Sequence, residues 1–195
     1  MPEAQSNLPR YAAWQHRGAR EGFEVVFLHA GADGYRLEGY TAAVEDGEAW
    51  AVHYVIMLDS AWATRSARVS GRSATGGHEL TLEGDGTGRW RIKGTAAPHL
   101  DGCVDVDLES SSFTNALPVR RLGLEVGEEA DAPAAYVRAL ELGVERLEQR
   151  YVRTQNDETR SRYRYTSPAF DFECELVYDE VGLVLDYPGI AVRVA

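Results

Sequence analysis

Apolar and polar residues alternate along most of the chain from about Phe23 to the C-terminus, and turns containing Gly and Asp separate the alternating stretches. A period of two is typical of strands with one buried and one exposed face. The sequence shows no internal repeat and no Pro/Gly-rich linker. It therefore predicts an all-β fold and one domain over residues 1–195, a single many-stranded antiparallel sheet curled on itself. We expect residues 1–13 to form a loosely ordered N-terminal segment.

The strongest turn signal is Asp46-Gly47, a pair that favours a two-residue hairpin. Pairing the flanking segments about this turn sets Leu37 opposite Ile56 and Tyr40 opposite His53. The other predicted pairs are Tyr35 with Leu58, Thr41 with Val52 and Ala43 with Trp50. One face of this hairpin is therefore expected to be apolar throughout.

A second hairpin is predicted between residues 79–83 and 89–93, which flank the Gly-rich turn at 84–88. Alternation along the two segments separates an apolar face from a polar one. The apolar face is expected to carry Leu80, Leu82, Trp90 and Ile92.

A third hairpin is predicted near the end of the chain, where 160–165 folds onto 170–177 about a turn at 166–169. One face would pair Tyr165 with Phe170 and Tyr163 with Phe172. The other would pair Arg164 with Asp171, Arg162 with Glu173 and Arg160 with Glu175. Opposite charges across strands contribute roughly 0.2–1 kcal/mol per pair, which favours this register.

One segment, 133–151, has a different periodicity. Tyr136, Leu140 and Val144 recur at helical spacing in a stretch rich in Ala, Leu and Glu. Gly143 in the middle opposes a helix, at a cost of about 1 kcal/mol relative to Ala. The residues alone leave both helix and strand open here.

The net charge of the chain argues against some classes of binding partner. A formal net charge of −11 argues against nucleic acid and anionic membrane surfaces, which need basic patches. No apolar run approaches a membrane span, so we expect no membrane insertion. The N-terminus has neither a basic start nor an apolar run, so we expect no signal peptide and a cytoplasmic location. Cys103 and Cys174 are then expected to be reduced thiols.

Residues 101–107 hold several side chains that could bind a ligand or a metal ion. On a strand, Asp101, Cys103, Asp105 and Asp107 would share one face, opposite a Val/Leu face. This pattern fits the polar face of an ordinary strand, a face that binds a polar ligand, or a metal site. Same-face neighbours stand roughly 6.6 Å apart and cannot close around one ion alone, so we expect no metal.

The next segment, 112–122, supplies Asn115, Arg120 and Arg121, which could hold a polar headgroup. The two arginines could equally pair with Asp105 or Asp107 in a structural role. His53 is a further candidate because the predicted register sets it opposite Tyr40. No nucleophile motif and no metal-ligand histidine spacing is present, so no catalytic residue is assigned.

These motifs resemble a known family. Asp-Gly-Cys-Val-Asp-Val-Asp at 101–107, with Phe113-Thr114-Asn115 and Leu117-Pro118-Val119-Arg120-Arg121-Leu122, is similar to the signature of the bacterial putative glycolipid-binding family. Later motifs follow in the family's order: Gln149-Arg150-Tyr151, Tyr163-Arg164-Tyr165 and Asp186-Tyr187-Pro188-Gly189. Trp62 and Gly88-Arg89-Trp90 fit its first half. The resemblance spans residues 14–194.

The resemblance implies a many-stranded β-barrel similar to the bacterial Lol lipoprotein carriers, and extended strands over 137–152. It implies non-catalytic binding of a lipid or glycolipid-like molecule inside the barrel, without a cofactor. The expected ligand-binding residues are Asp105, Asp107, Asn115, Arg120, Arg121, Trp62 and His53. One alternative is an enzyme that acts on a small amphiphile with Asp105 or Asp107 as general acid or base. Another is a filled barrel that binds nothing.

Overall fold

The computed structural model describes residues 8–157 and 159–195, and most of them lie in strands, which confirms the all-β class. The strands are β1 Tyr11–His16, β2 Glu21–Ala30, β3 Gly34–Glu45, β4 Glu48–Asp59, β5 Thr64–Ser73, β6 Gly76–Gly84, β7 Trp90–Ile92, β8 Thr95–Ala96, β9 Asp105–Leu108, β10 Glu129–Asp131, β11 Ala134–Val137, β12 Val144–Leu147, β13 Arg150–Asn156, β14 Arg160–Ser167, β15 Phe172–Asp179, β16 Val184–Tyr187 and β17 Ala191–Arg193. An α-helix, α1, spans Ala116–Leu122, and 3-10 helices span Pro98–Leu100, Phe113–Asn115 and Pro168–Phe170. No helix in these ranges is long and apolar enough to cross a membrane.

Fourteen strands form one antiparallel sheet in the order β10-β13-β14-β15-β16-β17-β1-β2-β3-β4-β5-β6-β7-β8. Within the described ranges its end strands, β8 and β10, do not pair with each other, so the predicted closure into a barrel is wrong. These end strands have only two and three residues, and within the described ranges each pairs with one neighbour, β7 or β13. The prediction of a single sheet is also wrong, because β12, β11 and β9 form a second sheet, in which β9 and β11 run parallel.

The chain from the 3-10 helix at Pro98 to β12, apart from β10, packs on the inward face of the large sheet, and we call it the inner segment. Phe113 meets Trp14 of β1 edge-to-face at 6.0 Å between ring centroids. Leu100, Val106 and Leu117 are fully buried in the same core. This segment occupies the space that a hollow barrel would leave empty.

The hairpin of β3 and β4 is confirmed in every predicted pair, including Leu37 with Ile56 and Tyr40 with His53. Asp46 and Gly47 have φ angles of 51° and 81°. Two successive positive φ values are the geometry of a type I′ turn, which matches the twist of the flanking strands. Local turn chemistry therefore sets this register.

The hairpin of β6 and β7 is also confirmed. Leu82 pairs with Ile92, and Gly84 pairs with Trp90. Trp90 is buried and its Nε1 donates to the Cys103 carbonyl at 2.6 Å, which ties the hairpin to the inner segment.

The predicted register of the β14–β15 hairpin is wrong by four residues. Arg164 pairs with Glu175 rather than Asp171, and the closing pair is Ser167 with Phe172. The 3-10 helix Pro168–Phe170 and Asp171, with φ 48°, form the turn. The shift is even, so inward side chains stay inward, but Phe170 leaves the sheet for the turn.

The segment 137–152 contains strands and no helix, as the resemblance implied, but strands hold only half of it: β11 ends at Val137, β12 and β13 cover 144–147 and 150–152, and a turn lies at 139–141. Leu142 has φ 53° in the connection that follows this turn. Tertiary pairing with β9 and β14 overrides the helical periodicity of the sequence.

The predicted loose segment 1–13 lies partly outside the described residues, which begin at Leu8. From Tyr11 onward the chain pairs with β2 and, from Trp14, with β17, so the expectation is wrong for that part. Cys103 is buried and Cys174 half-buried, and both are free thiols.

Candidate functional site

A cavity of about 240 Å³ lies between the inner segment and the inward face of the sheet around β14 and β16. We call it the inner cavity. Its polar lining comprises Arg20, Glu45, Asp107, Glu109, Ser111, Asn115 and Ser167. Its aromatic lining comprises Tyr136, Tyr165, Phe170, Phe172 and Tyr187, with Ala19, Leu108, Leu147 and Ile190 completing it. The lining thus combines nine aromatic or aliphatic residues with seven polar ones.

Asp107 is the central charged group of the cavity. Thr114 Oγ1 donates to its Oδ1 at 2.7 Å, and Gln149 Nε2 donates to its Oδ2 at 2.5 Å. Burial raises the pKa of Asp107 to about 6, although these two hydrogen bonds lower it, and the charges of Asp105 and Glu109 add to the rise. The carboxylate therefore titrates close to neutral pH.

Tyr165 extends this network along β14. Gln149 Nε2 also donates to the Tyr165 hydroxyl at 3.0 Å. The Tyr165 ring lies 6.2 Å from that of Phe172 and 6.1 Å from that of Tyr187. Alternation along β14 points Tyr165 and Ser167 inward together, so one strand supplies both an aromatic face and polar groups.

Phe170 and Tyr136 form another aromatic part of the lining, with ring centroids 5.6 Å apart. Arg138 stacks over both rings, at 5.2 Å from Tyr136 and 5.5 Å from Phe170. Phe170 is 44% exposed, whereas Tyr136 is buried. Phe170 therefore marks where the cavity meets solvent.

Arg20 is a buried cation on the same cavity that sequence reasoning missed. Its Nε lies 3.8 Å from a Glu45 oxygen, and its guanidinium lies 5.3 Å from the Trp50 ring. Neither Nε nor Nη1 has a hydrogen-bond partner within the described ranges, and neither ring nitrogen of neighbouring His16 has one. Burial, then the charge of Arg20, lowers the pKa of His16 to about 4. No periodicity marks Arg20 in the sequence.

Glu24 of β2 is a second buried carboxylate that sequence reasoning missed. It accepts hydrogen bonds from Tyr54 Oη at 2.7 Å, Ser111 Oγ at 2.5 Å and the Ser112 N–H at 2.8 Å. Burial raises its pKa, and these donors counter the rise. Gly39 lets the Tyr54 ring cross β3, since a Cβ there would come 2.0 Å from Cζ. The network fastens cavity-lining Ser111 to the sheet.

Glu24 did carry a signal in the sequence. It stands at an inward position of β2, in phase with buried Val26 and Leu28. A charged residue in phase with core residues needs a buried partner. Its partners lie 30 or more positions away, so the signal marks the residue but not the network.

Two of the seven predicted ligand-binding residues line the inner cavity. Asp107 and Asn115 both line the inner cavity, and Asn115 Oδ1 accepts from the Tyr151 hydroxyl at 3.0 Å. Asp105 instead forms a two-pronged pair with Arg121, whose Nη2 lies 2.6 Å from Oδ2 and whose Nε lies 3.0 Å from Oδ1. This pair is the structural alternative considered for the arginines.

The remaining three predicted residues lie elsewhere. Arg120 stacks on Trp62, with the guanidinium carbon 4.0 Å from the ring centroid. His53 stacks on Tyr40 at 4.5 Å and contacts Glu38 at 3.1 Å on the outer face of the sheet. Within residues 8–157 and 159–195, no three His, Cys, Asp or Glu side chains converge closely enough to hold a metal ion.

Known proteins resemble this chain. The family described as "Putative glycolipid-binding" matches residues 11–193, which confirms the resemblance drawn from the sequence motifs. A crystal structure of a DUF1089 family protein from Pseudomonas aeruginosa is 34% identical, over 88% of this chain and 92% of that one, with a TM-score of 0.74. A β-barrel-like protein of the domain of unknown function DUF1849 from Brucella abortus is 10% identical, over 94% of this chain and 93% of that one, with a TM-score of 0.48. No curated protein matches the sequence.

Proposed function

The chain belongs to the family described as "Putative glycolipid-binding", and we propose that it binds the sugar headgroup of a glycolipid or similar amphiphile in the inner cavity, without catalysis. The environment of Asp107 carries this proposal. In the described part of the chain, its carboxylate is hydrogen-bonded only by the neutral donors Thr114 and Gln149. An ionised carboxylate has about four acceptor positions, so about two remain for donors from a ligand. Hydroxyl groups of a sugar supply such donors.

The aromatic lining supports the same ligand class. A sugar ring has apolar C–H faces between its polar edges, and such faces pack well on aromatic side chains. Tyr165, Phe172 and Tyr187 provide a cluster of rings in the cavity beside the Asp107 carboxylate. Small-molecule sites commonly combine an apolar wall with a few polar groups that fix orientation.

The size of the cavity favours the headgroup over the acyl chain. Its volume of about 240 Å³ lies below the roughly 300–1,000 Å³ that is typical of pockets for drug-sized ligands. The rest of the interior is filled by side chains such as Trp14, Phe113 and Leu117. In this proposal the headgroup enters the cavity and the chain leaves past the exposed Phe170.

The proposal is tested with hexyl β-glucoside, which carries a sugar, and with 1-hexanol, which has the same alkyl chain without one. Isothermal titration should show binding of the glucoside and not of the alcohol. Asp107→Asn should weaken glucoside binding about tenfold or more, because a hydrogen bond to a charged group is worth about 1.5–3 kcal/mol. Asp131→Asn, at an exposed carboxylate of β10, is the matched control and should bind like wild type.

Mass spectrometry of organic extracts of the purified protein gives an independent measurement, in which retained lipids should carry a glycosyl headgroup. Equal binding of hexanol and glucoside, or unchanged affinity in Asp107→Asn, would refute headgroup recognition at this cavity.

A second candidate function is catalysis on a small amphiphile with Asp107 as general acid or base. The pKa of about 6 at Asp107 favours it, since such a group exchanges protons near neutral pH. Asp105, the other carboxylate considered, is held by Arg121 and does not line the cavity. Nitrophenyl glycosides and esters would reveal hydrolysis. Wild-type rates no higher than those of Asp107→Asn would exclude this role.

A further inference from the structure

A second concave site lies farther along β14 and shares no lining residue with the inner cavity. Its volume is about 400 Å³, and it is lined by Arg120, Arg153, Ser161, Tyr163 and Gly182 among others. We call it the arginine pocket. The inward face of β14 serves both sites, with Ser161 and Tyr163 at the arginine pocket and Tyr165 and Ser167 at the inner cavity.

Arg120, on the last turn of α1, is held in a fixed orientation. Its Nη1 donates to the Val181 carbonyl, and its guanidinium stacks 4.0 Å above the Trp62 ring. Gly182 makes room for the side chain, since a Cβ there would come 3.1 Å from Arg120 Cγ. The Nε has no hydrogen-bond partner among residues 8–157 and 159–195. Among the described residues this guanidinium thus makes one hydrogen bond, although it carries five N–H donors.

Arg153 of β13 is held in the same way. Its Nη1 donates to the Leu124 carbonyl at 2.5 Å, and its guanidinium lies 5.9 Å from the Tyr163 ring. Its Nε is also buried without a partner in the described ranges. Both guanidinium groups are thus half-buried, and a carbonyl and an aromatic ring orient each one. These contacts leave further N–H donors on each group.

Neither arginine forms an ion pair in the part of the chain that the structure describes. Within the described residues no carboxylate oxygen lies within 4.0 Å of Arg120 or Arg153, although the chain carries a net charge of −11. Asp179 lines the pocket but pairs with Arg193 and accepts the N–H of Val181 and Leu183. Two half-buried cations without an ion-pair contact among the described residues are costly, and a bound anion would reduce that cost.

We infer that the arginine pocket binds an oxyanion, a phosphate, sulfate or carboxylate group, between Arg120 and Arg153. The planar guanidinium forks suit the oxygen atoms of such a group, and charge-assisted hydrogen bonds to it are the strong ones. Ser161 and Tyr163 line the same pocket. The site does not depend on the proposed headgroup binding, because it shares no residue with the inner cavity.

The test uses the full chain and inorganic phosphate, titrated calorimetrically at constant ionic strength. Wild type should bind phosphate saturably. Arg153→Gln should weaken binding about tenfold or more, because it removes charge-assisted donors. Arg153→Lys should recover only part of the affinity, because an ammonium keeps the charge and lacks the fork. Arg150→Gln is the control, since Arg150 lies on the same strand but is exposed and bound to Asp131.

Glu180 offers a second variant with the opposite sign. It lines the pocket and is exposed, so its charge repels an incoming anion. Glu180→Gln should therefore strengthen phosphate binding. Circular dichroism spectra and melting temperatures of the variants verify that each one folds.

Vesicles distinguish the source of the oxyanion. Co-sedimentation with phosphatidylglycerol vesicles, absent with phosphatidylcholine alone and lost in Arg153→Gln, would assign the site to a lipid headgroup. Phosphate binding without co-sedimentation would assign it to a soluble anionic molecule. No saturable phosphate binding, or equal binding in wild type and Arg153→Gln, overturns the inference.

Discussion

The β2–β6 part of the sheet and the inner segment from the 3-10 helix at Pro98 to β12 follow different rules. In β2–β6 each strand pairs with its neighbour in sequence, and buried and exposed side chains alternate. In the inner segment all four residues of β9 and of β11 are buried. A strand buried on both faces has no polar side, so charged residues there need specific partners.

This difference in burial determines where charged side chains need protein partners. Charges in β2–β6 sit mainly on the outer face, as in the Arg36–Glu38 pair at 2.8 Å, where water shares the cost. Asp105 and Asp107 on β9 are buried away from water. Asp105 pairs with Arg121 instead, and Asp107 accepts hydrogen bonds from Thr114 and Gln149. The inner segment therefore supplies four of the seven polar residues that line the cavity, and the large sheet supplies the frame and the other three.

The largest expected effect is at the Asp105–Arg121 pair. Asp105→Ala should destabilise the protein by about 3–5 kcal/mol, because it leaves a largely buried cation without its partner. The free energy of unfolding from urea titration measures this loss.

Arg121→Ala and the double variant complete the cycle. The double variant should lose clearly less than the sum of the single losses, since neither charge is then stranded. Additive losses would mean that the two side chains act independently and that the inner segment tolerates charge as the outer face does.

The same contrast explains what the sequence could predict. Asp46-Gly47 fixed the β3–β4 register because that turn depends on two adjacent residues. Asp107 and Asn115 were identified because they belong to one dense block of motifs. Glu24 and Arg20 were missed because their environment is built from distant residues, such as Ser111, which lies 87 positions from Glu24.

Charge alternation misled the prediction for β14–β15. Arginines and acids both recur at a period of two, so a register shifted by four still sets Arg160 and Arg164 opposite acids, now Asp179 and Glu175. Charge pairing therefore could not choose between the two registers. The turn formed by the 3-10 helix Pro168–Phe170 and left-handed Asp171 decided it.

The next effect is a pH dependence of stability in the inner segment. The pKa of Asp107 is raised to about 6 in the folded protein, above its usual value of about 3.9. The native state then holds a proton that the unfolded chain has released. Asp107 therefore lowers stability progressively as pH rises from about 4 to about 6, by at most roughly 3 kcal/mol.

Asp107→Asn should flatten this part of the pH profile of unfolding free energy. Raised pKa values at Glu24 and Asp105 act in the same direction, so the difference between wild type and variant isolates Asp107. Parallel profiles for the two proteins between pH 4 and 6 would show that Asp107 is already ionised throughout that range.

The smallest effect is expected on the outer face, at Arg162 of β14. Its Nη1 lies 2.7 Å from a Glu175 oxygen, and the Glu175 side chain is 50% exposed. Solvent and salt screen such a pair, so Arg162→Ala should cost less than about 1 kcal/mol and less still at high salt. Urea titrations at low and high salt measure both quantities. A loss of several kcal/mol would place the charged side of β14 among the buried surfaces and would remove the contrast between the outer face and the inner segment.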